Sequence, residues 1–278
     1  YTGLEQGGQL MQTTEVENYP GYPKGIMGPE MMEDFRKQAE RMGTDIRYAI
    51  ITKVTPGNPY HIVETEDGHQ LEAATVLICT GAKAKWLGLP SEQRLNGYGV
   101  SACAVCDGFF YKGMDVAIVG AGDTACEEAL YLAKLCSHVT MLVRSDKMRA
   151  SKVMQERVLS APNITVMWNS ETDDILGEKG VEAVRVKNRV SGELTDVPVK
   201  GFFVAIGHQP SSELFKGFID MDETGYILTK PGTTMTNIPG IYAAGDVQDK
   251  NYRQAVTSAG SGCMAALDAE RYITHHNL

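Results

Sequence analysis

The chain has 278 residues, of which 43% are hydrophobic and 22% are charged. This balance fits two medium-sized globular domains and excludes a disordered tail, a collagen-like repeat and a disulfide-stapled miniprotein. The 26 basic and 35 acidic side chains give a formal net charge of −9, so we do not expect a nucleic acid as partner. No apolar run reaches the ~20 residues of a bilayer span and no targeting leader is visible, so we expect no membrane partner.

Apolar strands alternate with amphipathic helices, which predicts an α/β fold. A helix is expected over residues 29–42, because apolar side chains recur on one face before Gly43. Residues 48–54 and 60–65 should form a hairpin. The apolar run 75–81 predicts a strand that is buried on both faces.

A second unit is expected to begin near Trp86. Residues 115–120 predict a buried strand, residues 123–135 a helix and residues 138–143 the next strand, which together make one βαβ unit. The second domain is completed by segments 151–160, 164–168, 181–187 and 202–206. Residues 207–212 should form a linker, residues 240–246 a further strand, and residues 252–274 one or two closing helices.

A glycine-rich motif, G-x-G-x-x-A, lies between the predicted strand and helix of the βαβ unit. Its members are Gly120, Gly122, Asp123, Thr124 and Ala125. The glycines let the backbone turn tightly and approach a pyrophosphate, the small alanine lets helix and strand pack closely, and the helix N-terminus favours an anion. The motif therefore predicts a dinucleotide site, with a plain tight turn as the alternative.

Cationic side chains follow the second strand of that unit, where an NAD site usually carries an acid. They are Arg144, Lys147 and Arg149, with Asp146 among them. Guanidinium groups pair with a phosphate through a bidentate fork, so this loop favours NADPH over NADH. The alternative is a solvated basic loop that binds no ligand.

Six cysteines are present, and only Cys103 and Cys106 form a close pair. Two intervening residues allow a small redox-active disulfide loop. Half of a zinc site is the alternative, but no second C-x-x-C follows, so no metal is expected. Asp107 is placed to protonate a departing thiolate if burial raises its pKa, and its alternative role is a helix cap or turn acceptor. The low density of cysteine favours a reducing compartment.

Residues 101–111, Ser-Ala-Cys-Ala-Val-Cys-Asp-Gly-Phe-Phe-Tyr, resemble the active-site segment of the low-molecular-weight thioredoxin reductases. Segments 7–21, 87–91, 205–210, 244–247 and 252–260 are similar to that family too, and they stand in the right order. The resemblance implies two Rossmann-like three-layer dinucleotide-binding domains, the second inserted in the first. Residues 1–85 and 210–278 would bind FAD, and residues 86–209 would bind NADPH and carry the C-x-x-C.

The resemblance also implies the reaction. A thioredoxin-disulfide reductase, working as a homodimer in the cytoplasm, would pass electrons from NADPH through FAD to the Cys103–Cys106 disulfide and on to thioredoxin. Cys106 would lie next to the flavin, and Cys103 would attack thioredoxin. Three alternatives stay open: a reductase of another small redox protein, a non-catalytic dinucleotide-binding fragment and a zinc-bound structural module.

By the same resemblance, the FAD contacts would come from the N-terminal motif, one strand end and the segment before the last helix. These residues are Thr2, Gly3, Gly7, Gly8, Gln9, Asn18, Gly81, Gly245, Asp246, Arg253, Gln254 and Ala255. Phe109 and Phe110 would contact thioredoxin, or alternatively pack in the core. The inserted domain would rotate about hinges near residues 83–87 and 207–211.

Two departures from the family pattern have consequences. Ser145 stands where the family usually has a phosphate-binding arginine, and we expect it to reduce the preference for NADPH over NADH. The family's first βα unit, with its own G-x-G-x-x-G loop for FAD, has no counterpart before Tyr1. We therefore expect this stretch by itself to bind FAD weakly.

Overall fold

The computed structural model describes residues 1–3, 6–13 and 15–278. Its chain forms two compact units, one made of Tyr1–Lys83 and Gln209–Leu278 and the other of Ala84–His208. The second unit is therefore an insertion into the first. No helix in the described ranges is long and apolar enough to cross a membrane.

The first segment of the discontinuous unit carries short strands around one helix. In chain order these are β1 (Glu15–Val16), β2 (Ile26–Met27), α1 (Gly28–Arg41), β3 (Ile51–Thr55), β4 (His61–Thr65), β5 (Gln70–Ala73), β6 (Val76–Ile78) and β7 (Ala82–Ala84). Helix α1 has Pro29 in its first turn and buries Met31, which confirms the predicted helix within one residue at each end. Strands β3, β4 and β5 form an antiparallel meander, so the predicted hairpin is confirmed and gains a third strand.

The prediction that strand β6 is buried on both faces is wrong at Leu77. Ile78 is 1% exposed and belongs to the core of this unit, whereas Leu77 is 37% exposed. Successive side chains of a strand point to opposite faces, so only one face of β6 is covered by that core.

The inserted unit carries a parallel sheet. Its elements are α2 (Pro90–Arg94), β8 (Val100–Ser101), α3 (Ala104–Asp107), β9 (Asp115–Val119), α4 (Asp123–Ala133), β10 (His138–Leu142), α5 (Lys152–Ser160), β11 (Ile164–Met167), β12 (Ser170–Leu176), β13 (Ala183–Asn188), β14 (Leu194–Pro198) and β15 (Gly201–Val204). The sheet has the order β11-β10-β9-β15-β8, with every neighbouring pair parallel. The predicted βαβ unit is therefore confirmed.

Strand β9 shows how this unit is layered. Val116 and Ile118 pack into a core with residues of α3, α4 and α5, whereas Ala117 and Val119 pack on the opposite face into a core with residues of β12 and β13. Helices, parallel sheet and the antiparallel meander β12–β13–β14 thus make three layers. Both faces are covered, which explains why the strand is apolar at successive positions.

The chain returns to the first unit through β16 (His208–Pro210), then β17 (Ile241–Ala243) and α6 (Ala255–His276). The chain crosses back between the two units at His208 and Gln209, inside the predicted linker 207–212, and this segment is ordered because β16 pairs with β7 in a two-stranded sheet. The last helix is single and begins three residues later than predicted. Arg253 has a φ of 48°, outside the helical region, and Gln254 forms a capping box with Thr257.

Candidate active site

Cys103 and Cys106 form a disulfide at the start of helix α3, with their Cα atoms 5.3 Å apart. Cys103 is the N-cap residue, and its Sγ accepts a hydrogen bond of 3.2 Å from the N–H of Cys106. The N–H of Cys103 in turn donates to the Ser101 hydroxyl at 3.0 Å. Because an N–H group points at the Cys103 sulfur, a negative charge on that sulfur is stabilised when the bond is reduced.

Asp107 follows the disulfide directly; its side chain is half-buried, and its Oδ1 atom is inaccessible to solvent. Burial raises the pKa of Asp107, and a hydrogen bond with Ser101 acts in the opposite direction. Its Oδ1 atom has no hydrogen-bond partner in the described part of the chain. The side chain makes no capping hydrogen bond to the 3-10 turn that follows, and Cys103 rather than Asp107 caps α3, so the helix-cap alternative is wrong. Asp107 therefore keeps its proton to a higher pH than an ordinary aspartate.

Apolar side chains around the disulfide are exposed. Val105 is 48% exposed, Phe109 55% and Phe110 40%. Core packing, the alternative role for the two phenylalanines, is therefore not what the structure shows. An exposed apolar patch beside a disulfide is suited to contact with another protein.

Two further cysteines of the same unit are chemically different. Cys126 and Cys136 are buried free thiols, and burial raises the pKa of each to about 11. Thiols with such pKa values carry little thiolate at neutral pH and react slowly. Among the described residues, no group of three or more His, Cys, Asp or Glu side chains could hold a metal ion.

The two glycines of the G-x-G-x-x-A motif have different surroundings. A Cβ atom on Gly120 would collide with the carbonyl oxygen of Ala205 and would lie 2.6 Å from the Cβ of Ala125. A Cβ atom on Gly122 would meet no atom of the described chain within 4 Å. Gly120 is therefore required for packing between strand and helix, whereas the space over Gly122, the N-cap of α4, can be entered by a ligand.

The basic loop after β10 is held next to this glycine motif. The N–H groups of Arg149 and Ala150 both donate to the carbonyl oxygen of Ala121, at 2.7 and 3.0 Å. Met148 is buried, while Arg144 and Arg149 are exposed. The structure thus brings together the predicted pyrophosphate loop and the predicted cations.

Asp123 and Ser145 both make hydrogen bonds that hold this region together. The Asp123 carboxylate accepts a hydrogen bond of 2.8 Å from the N–H of Ser151, and this bond lowers the pKa of Asp123. Ser145 donates from its hydroxyl to the carbonyl oxygen of Lys147 at 2.7 Å, so its side chain stabilises the loop.

Several residues predicted to contact FAD come together in the discontinuous unit. The Asn18 amide donates to the Gln254 side chain at 2.9 Å, which joins the N-terminal motif to the start of α6. Gln9 donates to the carbonyl oxygen of Ala82. The backbone N–H groups of Thr2 and Gly3 donate instead to Arg47 and Ala49, so these two residues are fixed by other parts of the unit.

Asp246 lies in a half-buried position at the end of β17. Burial raises its pKa, and a hydrogen bond of 3.0 Å from the Ser258 hydroxyl acts in the opposite direction. The N–H of Gly245 donates to the Ser261 hydroxyl at 2.9 Å. Sequence reasoning missed both serines, although their spacing places them on one face of α6.

The backbone of the discontinuous unit is open to a ligand at several of the predicted glycines. A Cβ atom on Gly3, Gly8 or Gly81 would meet no atom of the described chain within 4 Å. Together with the half-buried carboxyl of Asp246, such bare backbone fits a hydroxyl-rich dinucleotide at the carboxyl end of a parallel strand.

Comparison with known proteins assigns the class. Residues 5–262 match the family described as pyridine nucleotide-disulphide oxidoreductase, and the chain belongs to this family. The thioredoxin reductase of Rickettsia felis is 48% identical over 274 residues, which cover 98% of this chain and 88% of that protein.

A second relative and a solved structure are also named as thioredoxin reductases. The NADPH-dependent thioredoxin reductase 3 of Arabidopsis thaliana is 49% identical over 276 residues, 98% of this chain and 52% of that protein. The solved structure of thioredoxin reductase from Giardia duodenalis has a TM-score of 0.93 at 39% identity, covering 98% of this chain and 89% of that one. The Rossmann-like α/β fold and the resemblance to the low-molecular-weight thioredoxin reductases are confirmed.

Proposed function

We propose that this chain is a thioredoxin-disulfide reductase that uses NADPH and FAD. The observation that carries the proposal is the Cys103–Cys106 disulfide, which lies in the same unit as the glycine motif and the basic loop. The relatives named thioredoxin reductase, at 46–49% identity over nearly the whole chain, supply the substrate class. The nicotinamide cofactor is supported by the relative whose name specifies NADPH.

We assign NADPH to the inserted unit. Phosphate oxygens would lie over Gly122 and Thr124 at the N-terminus of α4, where N–H groups without helical partners and the helix dipole favour an anion. Arg144 and Arg149 would pair with the 2′-phosphate, since their side chains are exposed on a loop that Ala121 holds in place.

We assign FAD to the discontinuous unit. The glycines with open backbone and Asp246 would contact it, with Asn18 and Gln254 holding the two parts of the site together. When bound, FAD supplies the two-electron chemistry that links a nicotinamide to a disulfide.

The redox pair then acts on thioredoxin. In the dithiol form, the Cys103 thiolate attacks one sulfur of the thioredoxin disulfide, and the other sulfur leaves as a thiolate that takes up a proton. Cys106 next attacks the sulfur of Cys103, which restores the Cys103–Cys106 disulfide and releases the second thioredoxin thiol. Two electrons have then moved to thioredoxin.

Asp107 supplies the proton. Its buried carboxyl group keeps a proton at a pH where ordinary aspartates have lost theirs, and it lies on the helix that carries Cys106. The exposed side chains of Val105, Phe109 and Phe110 form the surface that would contact thioredoxin. A homodimer and a cytoplasmic location belong to the same proposal.

The test is NADPH oxidation by the purified chain, supplied with FAD, in the presence of oxidised thioredoxin. We expect one NADPH to be consumed for each thioredoxin disulfide reduced, and we expect Cys103→Ser and Cys106→Ser to abolish the reaction. Cys263→Ser is the matched control, because Cys263 is an exposed free thiol on α6. Reduction of a glutaredoxin-like or peroxiredoxin partner but not thioredoxin would overturn the assigned substrate.

A further inference from the structure

Arg189, in the turn after β13, reaches the loop that carries the predicted 2′-phosphate ligands. Its Nη1 donates to the backbone carbonyl oxygen of Arg144 at 3.2 Å. The backbone N–H of Arg189 donates to the carbonyl oxygen of Asn169 at 2.7 Å. The N–H of Asn169 donates to the carbonyl oxygen of Ser145 at 3.1 Å. The guanidinium group of Arg189 therefore contacts Arg144, and the backbone of Arg189 is linked to Ser145 through Asn169.

The loop at residues 144 and 145 has one cation fewer than the family pattern, which leaves a role for a further cation. The family pattern has an arginine at position 145, whereas the Ser145 hydroxyl is bound to the carbonyl oxygen of Lys147. The side chain of Arg189 is 51% exposed, and its Nε lies 3.2 Å from Glu171. An arginine has five N–H donors, so the contacts with Arg144 and Glu171 leave donors for a phosphate.

We propose that Arg189 supplies the phosphate-binding cation that Ser145 does not, and that it is a specificity-determining residue for NADPH over NADH. This inference rests on the proposed function, in which Arg144 and Arg149 bind the 2′-phosphate. Glu171 holds the guanidinium in place and competes with the phosphate for its charge. NADH has no 2′-phosphate, so the contribution of Arg189 is confined to NADPH.

The experiment compares Arg189→Ala with the wild type in thioredoxin reduction, measuring kcat/KM with NADPH and with NADH. Loss of a charge-assisted contact from a half-exposed side chain should lower kcat/KM for NADPH about three- to tenfold and leave the value for NADH unchanged. Arg189→Lys, which keeps the charge, should retain most of the preference. Glu171→Gln, which removes the competing charge, should raise kcat/KM for NADPH.

The matched control is Arg185→Ala. Arg185 lies on β13, four residues before Arg189, and forms an exposed ion pair of 2.8 Å with Asp196, so this variant also removes one cation and one ion pair. We expect it to leave the ratio of NADPH to NADH efficiency unchanged. An equal change in both control and Arg189→Ala would assign the effect to net charge and overturn the proposal.

A role that only braces the loop predicts a different result. If Arg189 acted only by supporting Arg144, which itself binds the 2′-phosphate, Arg189→Ala would cause no further loss of kcat/KM for NADPH in an Arg144→Ala background, and the proposal would be wrong. Titration with 2′,5′-ADP and with 5′-AMP separates this question from turnover. We expect Arg189→Ala to weaken binding of 2′,5′-ADP alone; unchanged binding would overturn the inference even where thioredoxin is not the substrate.

Discussion

The thioether sulfur of Met148 contacts the thiol sulfur of Cys126 at 3.8 Å, and both side chains are buried in the helix-side core of the inserted unit. Cys126 lies on α4, whose N-terminus carries the glycine motif, and Met148 lies between Lys147 and Arg149 in the basic loop. This core contact therefore acts together with the backbone hydrogen bonds to Ala121 in positioning the helix N-terminus relative to the cations.

Met148→Ala should weaken the packing of the basic loop against α4. Truncation of a buried methionine costs about 2–5 kcal/mol of the free energy of unfolding. We also expect a higher KM for NADPH with little change in kcat, because the change affects binding of the cofactor and not the redox pair. Denaturant unfolding and steady-state kinetics measure the two effects, with the 43%-exposed Met114 replaced by Ala as control. An unchanged KM would mean that the backbone bonds to Ala121 suffice to hold the loop.

Gly120→Ala should lower stability, whereas Gly122→Ala should leave stability unchanged and weaken NADPH binding. The new methyl group at position 120 would collide with Ala205 and Ala125, which we expect to cost about 1–3 kcal/mol of stability. At position 122 the methyl group meets nothing, and the φ of −93° suits alanine, so stability should stay within about 0.5 kcal/mol of wild type. That methyl group would, however, occupy the space assigned to the pyrophosphate.

Unfolding curves and NADPH titration of the two glycine variants provide the measurement. Gly122→Ala is expected to keep its stability and bind NADPH about tenfold more weakly, since backbone approach to the phosphates is blocked. Tight NADPH binding by a stable Gly122→Ala protein would contradict the assignment of this motif to the cofactor.

Asp107→Asn tests the proton donor. Removing a general acid should lower the rate of thioredoxin reduction by about 10²-fold or more and remove the alkaline decline of the pH profile that follows ionisation of Asp107. Because Asp146 is an exposed aspartate in the basic loop, Asp146→Asn is the control. A pH profile of Asp107→Asn that keeps the shape of the wild-type profile would assign the proton to another group.

The same substitution has a consequence for stability. Burial raises the pKa of Asp107, so the folded state binds its proton more tightly than the unfolded state does. The contribution of Asp107 to stability is therefore complete below the ordinary aspartate pKa and is lost as the pH rises through the folded-state value. Relative to wild type, Asp107→Asn should become more stable as the pH rises through that range, which unfolding curves at several pH values would measure.

Cysteine labelling should separate the redox pair from the buried thiols. With pKa values of about 11, Cys126 and Cys136 carry on the order of 10⁻⁴ of their population as thiolate at neutral pH. We expect iodoacetamide to modify Cys103 only after reduction, and to leave Cys126 and Cys136 unmodified in the folded chain. Mass spectrometry of peptides from reduced and oxidised samples identifies the modified residues; rapid labelling of Cys126 would show that it is accessible.

The elements that the sequence predicted well have strong local patterns. Strand β9 and helix α4 flank a glycine motif whose packing depends on Gly120 and Ala125, and both were located from the pattern alone. The meander β12–β13–β14 was harder to predict from the sequence. Its first strand, β12, has a register shift between Thr172 and Asp174, which disrupts the alternation that identifies a strand.

Contacts between distant segments were not predictable. The N–H of Arg149 binds Ala121, and the side chain of Arg189 binds Arg144, yet neither pair has a signature in local sequence because the fold alone brings the partners together. Strand β16 was missed for a similar reason, since His208–Pro210 has no apolar alternation and is ordered by backbone pairing with β7. The Cys103–Cys106 pair was recognisable because its chemistry lies within four consecutive residues.

The chain enters and leaves the inserted unit side by side. The N–H of Lys85 donates to Gly207 at 2.9 Å, and just beyond the boundary the N–H of Ser211 donates to Gly81 at 2.9 Å. The two ends of residues 84–208 are therefore neighbours, and we expect that this stretch could be excised as one continuous piece and the remaining halves rejoined by a short turn. With this arrangement, we expect that a foreign nucleotide-binding module could be grafted at the same two points of the chain.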